Sequence, residues 1–301
     1  MEIIYTVCFF SYLHYLKLNN FIQIEYSFAI INLMSSIKLN NGEKIPSLGF
    51  GTWQLKPMGE TYNAVKSALD VGYRHIDTAH IYLNEGSVGK AIKDSGINRN
   101  EIYVATKLWN WDHKKAEKAY DKSLKKLKLD YVDLYLIHYP VTKTRIGAWK
   151  TLEKMYSEKK IKSIGVSNFT VRHLEELMSK TSIIPAINQV EFHPFLFQKE
   201  LLDFCKKHGI VLEAYSPLAH GKKLGDETLS AIAQSHNKSV PQVMIRWSLQ
   251  HGNVVIPKSK NPDRIKQNID VFDFELSENE MSLIDSLNEN LHTCWNPEKT
   301  A

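Results

Sequence analysis

From residue 37 onward, short β-branched or apolar runs alternate with longer stretches whose apolar positions recur at helical spacing. The short runs predict strands at residues 48–51, 75–77, 103–106, 134–138, 164–166, 186–190, 211–215 and 254–256. Between them the longer period predicts helices at 60–70, 88–94, 115–128, 148–159, 171–179, 199–208, 228–236 with 240–250, and 262–271. A helical tail at 278–288 follows. Ahead of the first strand, residues 37–39 and 44–46 flank Asn40-Asn41-Gly42, a hairpin signal. Gly72, Gly209 and Gly252 stand where helices end. Ser277 with Glu280 reads as a capping box.

Eight strand–helix units in one chain of 301 residues favour a closed α/β barrel, a (β/α)8 TIM barrel with an N-terminal β-hairpin and a short C-terminal tail. A doubly wound open sheet is the alternative. It is disfavoured because Gly49-x-Gly51 begins a dinucleotide fingerprint that Gln54 does not complete, and Trp53 would block close approach. No linker composition interrupts residues 34–301, which read as one domain.

Residues 1–33 differ from the rest: rich in Ile, Phe and Tyr, poor in charge. His14, Lys17, Asn19, Asn20, Gln23 and Glu25 interrupt every window long enough to span a bilayer. The stretch lacks a basic start and a small-residue cleavage site. It is read as an atypical extension, disordered or outside the working protein, with a membrane anchor as the alternative. The composition of the whole chain is that of a soluble globular protein, 43% hydrophobic and 24% charged. The net charge of +5 is dispersed over helix faces, which argues against a nucleic-acid partner. Cys8, Cys205 and Cys294 are widely spaced and odd in number, so no disulfide framework or metal site is expected, and a reducing, cytoplasmic setting fits.

In such a barrel, chemistry gathers at the carboxyl ends of strands. Asp77 ends the second strand, Tyr82 follows it, Lys107 lies at the end of the third, and His138 at the end of the fourth. A phenol is normally too weak an acid to donate a proton at neutral pH, and a neighbouring ammonium lowers its pKa. Asp77, Lys107 and Tyr82 thus read as anion, cation and tuned acid. His138 would orient a carbonyl oxygen. The chemistry this suits is hydride addition to a C=O with protonation of the oxygen, the hydride coming from a cofactor.

Residues 37 to about 290 resemble the aldo-keto reductase superfamily, in its aldose-reductase-like branch. The shared segments are Gly49-Phe50-Gly51-Thr52-Trp53, Gly72-Tyr73-Arg74-His75-Ile76-Asp77-Thr78-Ala79, Thr106-Lys107-Leu108-Trp109, Asp133-Leu134-Tyr135-Leu136-Ile137-His138, Gly165-Val166-Ser167-Asn168-Phe169, Asn188-Gln189-Val190-Glu191-Phe192-His193-Pro194 and Ile256-Pro257-Lys258-Ser259. The resemblance implies a catalytic tetrad of Asp77, Tyr82, Lys107 and His138. It implies NADPH/NADP+ as cofactor, with Ser167, Asn168 and Gln189 on the nicotinamide carboxamide, Tyr215 stacked on its ring and Thr52 nearby. Lys258, Ser259 and Arg264 would take the 2′-phosphate and Asn268 the adenine. Trp53, Trp109, His138 and Tyr139 would wall a site for a small carbonyl substrate. A cationic pair suits a phosphate that NADH lacks. Ser167-Asn168 also reads as the N-cap of the following helix.

The expected activity is NADPH-dependent reduction of aldehydes, including aldoses, and of some ketones, by a monomer, the family default. A non-catalytic NADPH-binding regulatory subunit is the other reading. Three departures from the branch stand out: short segments at 139–147 and 216–226, and a brief tail at 291–301, which together imply a more open pocket. Gln267 replaces an acidic adenine contact of several relatives, and Trp295 is a candidate for the pocket rim.

Overall fold

A computed structural model describes residues 35–301; the boundary near residue 34 and the extension read before it lie outside the described residues. β1 (Ser36–Lys38) and β2 (Lys44–Pro46) form the expected antiparallel hairpin, with Ile37 opposite Ile45. Gly42 takes φ of +91° in its turn, a conformation only glycine adopts without cost. The other strands are β3 (Phe50–Gly51), β4 (His75–Asp77), β5 (Tyr103–Leu108), β6 (Leu134–Ile137), β7 (Ser163–Ser167), β8 (Ile187–Glu191), β9 (Val211–Tyr215) and β10 (Val254–Val255). They pair in parallel in chain order. Leu48 bridges Val255, and Gly51 N donates to Pro257 O, so the last strand meets the first and the sheet closes. This is the expected eight-stranded barrel.

Two apolar layers follow from the alternation of side chains along each strand. One set points outward under α1 (Gly59–Asp70), α2 (Glu85–Asp94), α3 (Ala116–Leu127), α4 (Arg145–Ser157), α5 (Val171–Lys180), α6 (Lys199–Lys207), α7 (Glu227–Ser235), α8 (Val240–Gln250) and α9 (Pro262–Ile269). The smaller set points inward: Tyr103, Ala105, Leu134, Leu136, Ile187 and Val254 meet Leu39 and Ile45 of the hairpin, which plugs the end where the strands begin. The opposite end stays free for chemistry. α10 (Glu278–Asp285) starts at the expected box, with Ser277 and Glu280 capping each other.

Helix starts were the least legible boundaries. α2 begins at Glu85, ahead of residue 88, because Glu85 is buried and accepts from Thr106 Oγ1 at 2.8 Å. α4 begins at Arg145, ahead of residue 148, its guanidinium paired with Glu176. The helix after β7 is capped by Thr170 in a box with His173, not by Ser167-Asn168. Asn168 instead takes φ of +66° at the strand end, which leaves its side chain free for other partners.

Glycine also sets helix spacing. A Cβ on Gly89, in α2, would stand 1.8 Å from the carbonyl oxygen of Leu127 at the end of α3. Backbone cannot give way as a side-chain tip can. Gly89→Ala is therefore expected to destabilise the fold by about 3 kcal/mol, the upper range of overpacking costs. Urea denaturation checks this; a loss under about 1 kcal/mol would show that the two helices can part cheaply.

Candidate active site

The strand ends converge on one buried ion pair. Lys107 Nζ donates to Asp77 Oδ1 and Oδ2, both at 2.6 Å, and to Thr78 O at 2.9 Å. Both side chains are buried, and these three contacts use every donor that an ammonium carries. Adjacent pairing of β4 with β5 sets the pair: Asp77 lies beside Ala105, and Lys107 is two residues on, facing the same side.

Tyr82 is placed by the turn that leaves β4. Residues His80–Tyr82 make a single 3₁₀ turn, closed by Leu83 at φ of +59°. Asn84 pins this turn: its Nδ2 donates to Thr52 O at 2.9 Å, and its Oδ1 accepts from Thr78 Oγ1 at 2.8 Å. The Tyr82 ring then stands edge-on to His138, with centroids 5.6 Å apart, and Lys107 Nζ lies 5.2 Å from its ring centroid. So the four expected tetrad residues come together.

Their electrostatics correct one expectation. Burial pushes the Tyr82 phenol well above its usual pKa, and the Asp77 carboxylate adds to the rise. Lys107 does not reverse this: its ammonium is paired with Asp77, whose carboxylate opposes it at the phenol. Tyr82 rests as a protonated phenol. Burial, reinforced by Lys107, holds His138 well below the usual histidine value, so it is neutral. Its Nδ1 is buried without a hydrogen-bond partner among the described residues.

Beneath the ion pair lies a second polar layer that sequence reasoning missed. Gln189 Nε2 donates to Asp77 Oδ2 at 2.9 Å and to Glu213 Oε2 at 2.8 Å. Glu213 Oε1 is 3.4 Å from His75 Nε2, and both side chains are fully buried. Burial, then the nearby Asp77 carboxylate, pushes the Glu213 carboxyl up to about 8. Burial, then Lys107, pushes His75 down to about 3. Gly49 makes room for this ring, since a Cβ there would lie 2.4 Å from His75 Nδ1. That packing need accounts for the glycine that resembled half of a dinucleotide fingerprint.

A cleft of about 1130 Å³ opens above the pair. Asp77, Tyr82 and His138 line one part of it, beside Trp53. Ser167, Asn168, Gln189 and Tyr215 line the next. These four are cross-linked: Ser167 Oγ donates to Gln189 O at 2.8 Å, Asn168 Nδ2 to His138 O at 2.9 Å, and Tyr215 OH to Asn168 Oδ1 at 2.8 Å. Lys258, Ser259, Arg264 and Asn268 line it as well, and Asn261 caps α9 by accepting from Arg264 N at 3.1 Å. Lys258 and Arg264 are exposed and form no ion pair among the described residues. Gln267 also reaches this wall.

Thr52 stands behind the wall, its Oγ1 donating to Asp77 O at 2.9 Å. Trp109 packs edge-on against His138 at 4.9 Å, and Tyr139 stands edge-on to Trp295 at 6.2 Å. Trp295 does reach the cleft, with Thr293 and Cys294. The tail thus forms part of the cleft wall. Ser216, Leu218 and His220, just beyond β9, line the cleft as well; their position after Tyr215 was the available signal.

A closed barrel with a buried Lys–Asp pair, a phenol and a neutral imidazole at its strand ends defines a carbonyl-handling oxidoreductase site. The model of the Aldo/keto reductase family matches residues 47–289, and the chain belongs to that family. It is 50% identical over 270 residues to a glyoxal reductase of Bacillus subtilis, covering 89% of this chain and 98% of that protein. It is 46% identical over 257 residues to a methylglyoxal reductase of Escherichia coli, covering 84% and 93%. A crystal structure of an aldo-keto reductase from a deep-sea metagenome library superposes with a TM-score of 0.85 at 49% identity, covering 89% of this chain and all of that one. Among the described residues no helix is long and apolar enough to cross a membrane.

The Glu213 carboxyl gives this site a pH signature. Its folded pKa, about 8, is above the usual 4.5, so the native state keeps a proton that the unfolded chain has lost. That contribution is full below 4.5 and is lost as pH rises through about 8. Glu213→Gln imitates the protonated acid. The stability of this variant relative to wild type should therefore climb between these pH values, by up to about 1.4 kcal/mol per unit. Urea midpoints across the range measure it; a flat difference would show that Glu213 titrates normally.

Proposed function

We propose that this protein is an NADPH-dependent reductase of aldehydes, small dicarbonyls among them, with Tyr82 as proton donor. One observation carries the reading: the proton-handling groups and two cations that form no ion pair among the described residues line a single cleft. The names of the glyoxal and methylglyoxal reductases that it resembles support the choice of substrate. No observation favours the non-catalytic alternative.

The residues present fit a nicotinamide cofactor. When bound, it supplies the hydride that no side chain can provide. Ser167, Asn168 and Gln189 would hold its carboxamide. Gln189 spends its Nε2 hydrogens on Asp77 and Glu213, which leaves Oε1 to accept from a ligand. Tyr215, tied through its hydroxyl to Asn168, would flank the ring. Lys258 and Arg264 would take a phosphate, and Ser259 and Asn268 would hold the adenosine end.

In reduction, neutral His138 and the protonated Tyr82 both face the substrate oxygen. His138 orients it by hydrogen bonding. Tyr82 gives its proton to that oxygen as negative charge develops there. The ammonium of Lys107, held by Asp77, faces the phenolate that remains. Trp109, packed on His138, keeps water from this corner.

Two measurements test the reading. Tyr82→Phe should bind NADPH as wild type does, by fluorescence titration, while kcat falls at least about a hundredfold, the usual scale for a lost general acid. Near-normal turnover in that variant would overturn the assignment. Lys258→Ala should weaken NADPH about tenfold or more, as for a lost charge-assisted hydrogen bond, and leave NADH within about twofold. Equal weakening of both cofactors would remove the phosphate role.

A further inference from the structure

One buried carboxylate outside the tetrad holds the roof of the cleft. Glu191 ends β8 with only 3% exposure. Its oxygens accept from Thr293 N at 2.8 Å, from Cys294 N at 3.1 Å and from the Thr293 hydroxyl. His193 Nε2 at 3.4 Å and His292 Nδ1 at 3.8 Å complete the ring of groups around it. Burial alone would push this carboxyl up; hydrogen bonds from His193 and Thr293 outweigh it and hold the group below its usual value. Buried carboxylates persist only when their oxygens are satisfied, and here the tail supplies most of the donors. Hydrogen bonds to an ionised acceptor are about twice as strong as neutral ones.

The next residue is Trp295. Its ring lines the cleft and packs 5.8 Å from Trp109, which backs His138, and 6.2 Å from Tyr139, yet it remains 56% exposed. Beyond it, the tail has a second anchor: Thr300 O lies 3.0 Å from His173 Nε2, and its Oγ1 lies 2.8 Å from Tyr139 OH. Trp295 thus hangs between two fixed points, and the nearer one is the Glu191 carboxylate. Apart from it, Cys294 is tied only through its sulfur, 3.3 Å from His220 Nε2 and 3.5 Å from Ser216 Oγ. Sulfur is a weak hydrogen-bonding partner.

We propose that Glu191 is a specificity-determining positioning residue. By clamping the backbone of Thr293 and Cys294 it sets where Trp295 stands, and so favours aldehydes with a flat aromatic body over small dicarbonyls. An indole edge beside Trp109 gains contact with an aromatic ring and little with a three-carbon substrate. The inference rests on the reductase reading above.

The test uses the full chain with NADPH, 4-nitrobenzaldehyde and methylglyoxal. Glu191→Gln keeps size but turns an amide N–H toward the tail's own N–H groups. It should raise KM for the aromatic aldehyde about tenfold, the scale of a lost hydrogen bond to a charged group, with kcat and the methylglyoxal KM within about twofold. Thr293→Val, which removes one donor from the tail side and leaves the barrel untouched, should act in the same direction. Hydrogen exchange read by mass spectrometry should quicken at residues 292–296 and stay unchanged in β8. In a Trp295→Ala background, Glu191→Gln should add nothing, as expected when one residue acts through another.

Equal KM changes for both aldehydes, unchanged exchange at 292–296, or full additivity with Trp295→Ala would each overturn the proposal. Absence of NADPH-dependent turnover in wild type would instead defeat the reductase reading, and the exchange measurement would still decide whether Glu191 clamps the tail.

Discussion

Everything at the strand ends answers to the burial of one ammonium. Lys107 is fully out of water, and a lysine there loses its proton unless a carboxylate and further acceptors surround it. Asp77 and the Thr78 carbonyl meet that demand completely. The cost is that Lys107 has no donor to spare for the phenol beside it. Its influence on Tyr82 is charge at a distance, while burial decides the resting state of the phenol.

The same constraint shapes the layer below. A second carboxylate close to Asp77 would need a second cation, and none stands there among the described residues. Glu213 keeps its proton instead, and His75 gives its own up. Gln189 joins the two carboxyl groups through a single amide nitrogen. Its orientation is thereby fixed by Asp77, at the cleft wall, and by Glu213, buried below it.

Much of this was legible in the residues, and the limits have physical causes. Strands showed because a closed parallel barrel buries both strand faces, which leaves continuous apolar runs at 103–105 and 134–137. The tetrad showed because four titratable residues at three neighbouring strand ends are rare. Helix starts were missed where a charged residue is buried by a tertiary partner, as with Glu85 on Thr106 and Arg145 on Glu176. The capping role read into Ser167-Asn168 failed because local sequence cannot show that Asn168 leaves the helical path at positive φ to meet Tyr215. The direction of the Tyr82 shift was misread for a related reason. Adjacency of a cation is visible in a sequence, but the burial and the paired carboxylate that offset it are not.

The tail marks where pattern reading ends altogether. Residues 291–301 carry no period that a core would impose, and only Trp295 hinted at a role. What gives the segment its path is contact with Glu191, about a hundred residues earlier, and with His173 and Tyr139, earlier still. Tyr82 and Lys107 depend on β4 and β5, while Trp295 depends largely on β8 and a few polar anchors. The two meet where Trp295 packs on Trp109, which in turn backs His138. Under the proposals above, this division of supports lets the strand-end groups stay fixed while the cleft wall varies, and substrate choice falls to the least patterned residues.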